Sequence, residues 1–303
     1  MIYTLTFSPS LDYYLEVPNF KVGNINRSQS EELVAGGKGI NVSLILKELN
    51  IESIAMGFIA GFVGEELVRR LNEKAIKTDF VKTVGHTRIN VKINSQKETA
   101  INANSPKISS KEISQLSQKL SQLKANDILS IGGNIPQTFP KSSYIKILTS
   151  LQQRNIKFIV DATNDFLVWA LPFHPFLIKP NREELEEIFK QKLDTPDEII
   201  EKALLLKKKG AQNVIVSLGK DGAIMIDKND KIYIKKAAKG KMKSSVGAGD
   251  SLIAGFIAGY SLNQNAEEAL EWGIAAGSAT AFSFNLASRE DIIRIHEQLI
   301  NNH

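Results

Sequence analysis

The sequence predicts an α/β fold: a mostly parallel sheet covered by helices on both faces. Three observations predict it. Short apolar, β-branched runs alternate with helix-length segments along most of the 303 residues. Several of these runs are apolar throughout, as strands buried on both faces are. Glycine-rich turns follow the strand-like runs and open helices, which is where open α/β sheets bind ligands.

In chain order, residues 2–7 are β-branched and aromatic and predict the first strand. Gly36 and Gly37 then open the segment KGINVSLILKEL, where Ile40, Leu44, Leu46 and Leu49 keep helical spacing. Residues 53–58 predict a strand, followed by a glycine loop (Gly57, Gly61, Gly64) and a helix. Residues 80–102 break this rhythm. Ile89, Val91 and Ile93 alternate with Arg88, Asn90 and Lys92, the pattern of a half-buried strand, and NSQKE turns the chain into a second strand at 99–102. Ser109 and Glu112 have capping-box spacing, and Ile113, Leu116, Leu120 and Leu123 make one apolar stripe. Strands follow at 127–131, ending in Gly132 and Gly133, at 157–161 and at 176–178. Thr195, with Pro196 at the first helical position, starts a helix that Gly210 ends, and 214–218 is a further strand. Residues 252–260 and 266–284 are apolar helices rich in Gly and Ala, suited to close packing, and Ser288 starts the last helix.

Two segments, 12–34 and 88–104, stand outside this rhythm, and their alternation lets them pair as a small separate sheet. At the carboxyl ends of the main strands such a sheet would be a lid. There is no long linker, internal repeat or low-complexity tract, so residues 1–303 are expected to form one domain with the lid inserted.

Composition narrows the function. Hydrophobic content of 43% and charged content of 23% are ordinary globular values. With no cysteine, disulfides, thiolate metal sites and cysteine nucleophiles are excluded. The four histidines, His86, His174, His296 and His303, have no ligand spacing. No apolar run reaches the ~18 residues of a membrane span, and the opening MIYTLTFSPSLDYYLEV lacks the features of a signal peptide, so a cytoplasmic protein without a membrane partner is expected. The net charge is +5, with lysines clustered at 207–209 and 235–243. No aromatic residues interleave with them, which favours solvated surface and small anions over nucleic acid.

Five motifs carry candidate chemistry. Val246-Gly247-Ala248-Gly249-Asp250-Ser251 precedes an apolar helix. Its small residues allow close approach to the helix N-terminus, an anion site, and Asp250 suits a base taking a proton from a hydroxyl. The plainer reading is that Asp250 caps the helix. Ala35-Gly36-Gly37-Lys38-Gly39-Ile40-Asn41 opens another helix with glycines, a cation and an amide, suited to an anionic or polyhydroxyl ligand; it is not a Walker A loop. Asn181-x-x-Glu184, after Lys179, fits either a capping box or oxygen donors near Mg²⁺. Ser217-Leu218-Gly219-Lys220-Asp221-Gly222 fits either a nucleotide's phosphates and sugar or a simple hairpin. Thr87-Arg88-Ile89-Asn90 places a guanidinium on the lid's polar face, where it either clamps a phosphate or is merely solvated.

Together and in this order the motifs resemble the ribokinase-like, PfkB-type carbohydrate kinase family, and most of all its 1-phosphofructokinase and tagatose-6-phosphate kinase branch. The resemblance starts at Ser8-Pro9-Ser10-Leu11-Asp12 and runs through GGKGIN (36–41), TRINVKI (87–93), Ile178-Lys179-Pro180-Asn181, VSLGKDGA (216–223) and VGAGDS (246–251). It implies a three-layer fold with a small β-sheet lid, and ATP and Mg²⁺ as donor and cofactor. It implies Asp250 as general base with Gly247, Ala248 and Gly249 as anion hole. Asn181 and Glu184 would position Mg²⁺ through its waters, and Lys179, Asn181, Ser217, Gly219 and Gly222 would bind the nucleotide. Asp12, Gly37, Lys38, Asn41, Arg88 and Asn90 would bind the sugar phosphate, with Lys38 and Arg88 on its phosphate. A homodimer formed through the lid is also implied.

The chain departs from the family pattern at Ser8 (usually Asn), Ala100 (often acidic), Asn134 in Gly132-Gly133-Asn134-Ile135-Pro136 (usually Ser-Gly-Ser before Leu-Pro) and Ser244-Ser245 (usually Asn-Thr). Ser8, Ala100 and Asn134 are expected near the sugar pocket or the lid, so they bear on the choice of sugar. The leading expectation is phosphorylation of fructose 1-phosphate to fructose 1,6-bisphosphate. Tagatose 6-phosphate and fructose 6-phosphate are the nearest alternatives. A non-catalytic binder of sugar phosphate or nucleic acid is the alternative of another class, and it would need no base at Asp250.

Overall fold

The structure is a computed structural model that describes residues 1–136, 139–162 and 165–301. His303 lies outside them. The chain enters with β1 (Ile2–Thr6), leaves the main sheet for β2 (Ser10–Glu16) and β3 (Ser30–Gly36), and returns through α1 (Lys38–Glu48) to β4 (Ser53–Ala60). Next come α2 (Gly61–Glu73) and two short strands, β5 (Lys77–Thr78) and β6 (Val81–Thr83). A second excursion makes β7 (Arg88–Asn94) and β8 (Thr99–Ile101). The βα rhythm continues through α3 (Ser110–Leu120), β9 (Ile128–Gly132), α4 (Lys141–Gln153), β10 (Lys157–Asp161), α5 (Asp165–Ala170) and β11 (Leu177–Ile178). It ends with α6 (Arg182–Phe189), α7 (Pro196–Lys208) and β12 (Asn213–Ser217). A hairpin of β13 (Ala223–Ile226) and β14 (Ile232–Lys235) precedes α8 (Ala248–Asn263), α9 (Ala266–Ala281) and α10 (Arg289–Asn301).

The main sheet has the order β14-β13-β12-β11-β10-β9-β1-β4-β5, with β6 pairing farther along β4. It is parallel except at the β12-β13-β14 edge. Alternation along each strand feeds two layers. Leu5, Leu129, Ile131, Phe158 and Val160 join α3, α4 and α7 in one core. Ile2, Ile128 and Ile159 join α1, α8, α9 and α10 in the other. This is the parallel α/β architecture expected from the sequence. The two long apolar helices pack backbone to backbone: a Cβ at Gly255 would overlap the Trp272 carbonyl.

The second sheet has the order β3-β2-β7-β8, so the two interrupting segments do pair. Its burial differs from the expected pattern. On β7 the apolar Ile93 is buried but Ile89 is 37% exposed, while the amide of Asn90 is buried. The polar face of this sheet is turned inward, toward the site described below.

The expected glycine loop after β4 is not a loop. The strand continues through Gly57 to Ala60, and α2 begins at Gly61. Gly57, at φ 147°, is needed because a Cβ there would overlap the Thr6 carbonyl of the neighbouring strand. Gly61, at φ 59°, makes the strand-to-helix corner in a single residue. A capping box forms at Ser109–Glu112 as the sequence predicts, and the predicted start at Thr195 and Pro196 is a capping box as well, closed by Glu198.

Candidate active site

Helix α8 starts on Gly247, whose φ of 77° only glycine adopts freely. No side chain caps this helix; the Ala248 amide donates to the Ser245 carbonyl at 3.3 Å, and the amides of Gly249 and Asp250 stay available to an anion. Asp250 is not a cap. It is 6% exposed, and its Oδ2 accepts a hydrogen bond from Asn41 Nδ2 at 2.7 Å. Burial, reinforced by the nearby charge of Asp161, pushes its pKa up to about 7, against the pull of Asn41, Lys38 and Lys179.

Asp161 is the residue the sequence reading missed. It ends β10, is 2% exposed, and is shared by two lysines from different loops. Lys38 Nζ, at the start of α1, lies 3.2 Å from Oδ2, and Lys179 Nζ, after β11, lies 3.3 Å from Oδ1. Burial opposes the charge of Asp161, but Lys179 and then Lys38 hold its pKa below the usual carboxylate range. Burial likewise works against the charge of Lys38, yet Asp161, Asp250 and Glu184 together keep its pKa raised. Lys179 also reaches α8: a Cβ on Gly249 would stand 3.2 Å from its ammonium nitrogen. One signal could have pointed to Asp161. It is a carboxylate closing an otherwise apolar buried strand, KFIVD, at the end where α/β sheets keep their ligands.

Asn181 and Glu184 form a full capping box on α6. Asn181 Oδ1 accepts from Glu184 N at 2.7 Å, and Glu184 Oε2 accepts from Asn181 N at 2.9 Å. Glu184 Oε1 takes no part in the box. The set consists of hard oxygen donors beside the Lys38–Asp161–Lys179 cluster, and Glu184 reaches Lys38 electrostatically. That fits a Mg²⁺ ion held largely through its own waters. Asn181 also bridges to Ser217, so the motifs after β11 and β12 lie next to each other. Ser217 leads into a tight turn at Gly219–Asp221 and back along antiparallel β13, so the hairpin reading is correct for the backbone. Gly222 is essential to that turn, since a Cβ would overlap the Lys235 carbonyl.

On the small sheet, Asp12 Oδ1 accepts from Ser10 Oγ and from Asn90 Nδ2, each at 2.7 Å. Arg88 lies beside them, and its Nη2 and Nε donate to the Ser8 carbonyl at 3.0 and 3.3 Å. Burial lowers its pKa, with Asp12 pulling the other way. Ser8 is buried and its hydroxyl bonds that of Ser105. A cleft of about 580 Å³ opens against Asp12, Val34, Asn41, Val246 and Leu286. Asn41 joins the two halves of the site, lining this cleft with Asp12 while holding Asp250.

The structure therefore brings Asp250, Lys38 and Lys179 around Asp161 with Asn41 on Asp250, sets Asn181 against Ser217, and gathers Asp12, Asn90 and Arg88 on one face. Gly37 is the residue before α1, at φ 126°, with no room for a Cβ against Thr6. Of the departures from the family pattern, only Ser8 is buried in this region; Ala100 and Asn134 are exposed. Among the described residues there is no cluster of three or more His, Cys, Asp or Glu side chains able to hold a metal. No helix among them is long and apolar enough to cross a membrane.

A family model described as pfkB family carbohydrate kinase matches residues 8–292. A 1-phosphofructokinase of Bacillus subtilis is 41% identical over 290 residues, covering 96% of this chain and 95% of that protein. A D-tagatose-1-phosphate kinase of Bacillus licheniformis is 35% identical over 304 residues and covers all of both. Phosphofructokinase-2 of Escherichia coli, solved in complex with substrates and products, superposes with a TM-score of 0.94 at 28% identity, over 99% of each chain.

Proposed function

The chain belongs to the pfkB family of carbohydrate kinases, and on that footing we propose that it transfers the γ-phosphoryl group of ATP to fructose 1-phosphate, giving fructose 1,6-bisphosphate and ADP. The observation that carries the reading is Asp250: a buried carboxylate with a raised pKa, held by Asn41, at a helix start where the Gly249 amide and its own are free for an anion. A pure binder needs neither the base nor its tuning.

Each part of the site has a role in this reaction. Asp250 takes the proton from the free C6 hydroxyl as its oxygen bonds to the γ-phosphorus and the bond to the β–γ bridging oxygen breaks. The amides of Gly247, Ala248 and Gly249 stabilise the charge on the transferring group. Lys179 draws the nucleotide phosphates toward α8, and Ser217, Gly219 and Gly222 line the nucleotide. Lys38 and Arg88 face the phosphate already on the sugar, and Asp12, Gly37 and Asn41 hold its hydroxyls. Asn181 and Glu184 would hold Mg²⁺, which supplies neutralisation of phosphate charge when bound. The small sheet acts as the lid that excludes water, the whole chain works as one unit, and the enzyme operates in the cytoplasm. Ile89 and Ile101, exposed on the lid's other face, suit pairing with a second copy in a homodimer.

The relative from B. licheniformis favours one second reading, a tagatose 1-phosphate substrate. Like the leading reading it places the phosphate on C1. The alternative expected from the sequence, tagatose 6-phosphate, places it on C6. The test is ADP formation with Mg-ATP against fructose 1-phosphate, tagatose 1-phosphate, fructose 6-phosphate, tagatose 6-phosphate and fructose. The reading predicts a kcat/KM for fructose 1-phosphate at least about tenfold above the others, ~1.4 kcal/mol of transition-state stabilisation. A preference for tagatose 1-phosphate or for a 6-phosphate would reassign the pocket, and no turnover with any of them would favour a binder.

A further inference from the structure

Asn90 has the residue type of a sugar ligand but not the surroundings of one. It is 5% exposed, and both of its polar atoms are engaged within the protein. Nδ2 donates to Asp12 Oδ1 at 2.7 Å and to Ser10 Oγ at 3.1 Å, and Oδ1 accepts from the backbone N–H of Ala103 at 3.2 Å. Chemistry fixes the orientation of the amide. A carboxylate can only accept and a backbone N–H can only donate, so the flipped amide would face an acceptor with an acceptor and a donor with a donor. Ser10, 1% exposed, gives its proton to the same Asp12 oxygen at 2.7 Å. Two internal donors thus hold Oδ1, while Oδ2 lies against Gly36, where a Cβ would stand 2.5 Å away.

We propose that Asn90 is a positioning residue that acts through Asp12. It fixes one carboxylate oxygen so that the other is presented to the hydroxyls of the sugar phosphate. Its bond to Ala103 ties the chain leaving β8 to the same point, so presentation of Asp12 and assembly of the small sheet are one event. An aspartate on a strand otherwise turns about two side-chain bonds, and ordering it in advance removes that entropy from the binding step. This deepens the kinase reading and rests on it.

The experiment is a double-mutant cycle of Asn90→Ala and Asp12→Ala, read as kcat/KM for fructose 1-phosphate and as KM for ATP. Losing a hydrogen bond to a charged group should lower kcat/KM for the sugar phosphate by about 10- to 100-fold in Asn90→Ala. That loss should come through a higher sugar-phosphate KM, with the ATP KM unchanged. In the Asp12→Ala background the same substitution should cost less than about twofold, because the group it positions is gone. Asn90→Asp, which keeps the shape and the acceptor for Ala103, serves if the alanine variant folds poorly. It turns the donor facing Asp12 into an acceptor and should weaken sugar-phosphate binding at least as much. An equal loss in both backgrounds, an equal rise in the ATP KM, or an unaffected Asn90→Asp would overturn the proposal. Wild-type protein inert toward every ketose phosphate would instead overturn the functional reading, and this inference with it.

Discussion

The carboxyl end of the main sheet and the inner face of the small sheet build their halves of the site in opposite ways. At the main sheet, Lys38, Asp161, Lys179 and Asp250 put four charges within reach of one another, and Asp161, Lys179 and Asp250 are all less than 7% exposed. They stand on strand ends and helix starts packed from both faces. At the small sheet, neutral Ser10 and Asn90 hold a single carboxylate, and the outer strand β8 is exposed along its length. Charge moves during phosphoryl transfer, so its partners serve best where the protein cannot relax around them. Recognition of hydroxyls needs fixed hydrogen-bond geometry but tolerates a support that opens and closes, and sparsely packed edge structure opens at low cost.

Substitutions sharpen this contrast. The largest effect is expected at Asp250, the proposed base. Asp250→Asn should lower kcat by about 10³-fold with nucleotide affinity unchanged, measured by steady-state kinetics and calorimetry. Its stability effect has a definite sign. The folded pKa of about 7 lies above the unfolded value, so this group's contribution is full at low pH and is lost as pH rises through about 7. Wild-type protein should therefore lose melting temperature relative to Asp250→Asn between acid and pH 8. Next comes Asp161→Asn, which leaves Lys38 and Lys179 without their shared partner. It should lower kcat by about 10²-fold and cost about 3 kcal/mol in denaturant unfolding. It should also move the acid limb of the pH–rate profile down, because the charge of Asp161 helps raise Asp250. The smallest effect belongs to the small sheet. Gly36→Ala would push against Asp12 and should raise the sugar-phosphate KM by about tenfold, with kcat within about twofold.

Much of this was readable from residues alone, for local reasons. Capping boxes at Ser109 and Thr195, the glycine turn at Gly247 and the helix opening at Gly37 depend on neighbours in sequence. The pairing of the two interrupting segments also followed from their alternation. Other features depend on contacts that sequence spacing does not encode. Asp161 matters because Lys38 arrives from more than a hundred residues before it and Lys179 from the end of the next strand after it. Gly57 looked like loop because a glycine inside a strand is explained only by the Thr6 carbonyl beside it. Asn90 looked like a ligand because its commitment to Asp12, Ser10 and Ala103 appears only when β2 and β7 lie in register. The burial of Ile89 and Asn90 is reversed from simple alternation because the sheet turns its polar face to the site.

The central claim is a division of labour: the charges that serve phosphoryl transfer are held on the main sheet, and the Asp12 carboxylate that serves the sugar's hydroxyls is held on the small one. The most direct measurement is kcat and sugar-phosphate KM for Asp161→Asn and Gly36→Ala side by side, with wild type as reference. The account predicts that Asp161→Asn lowers kcat far more than it changes KM, and that Gly36→Ala raises KM while sparing kcat. Both variants moving the same constant by similar factors would contradict it.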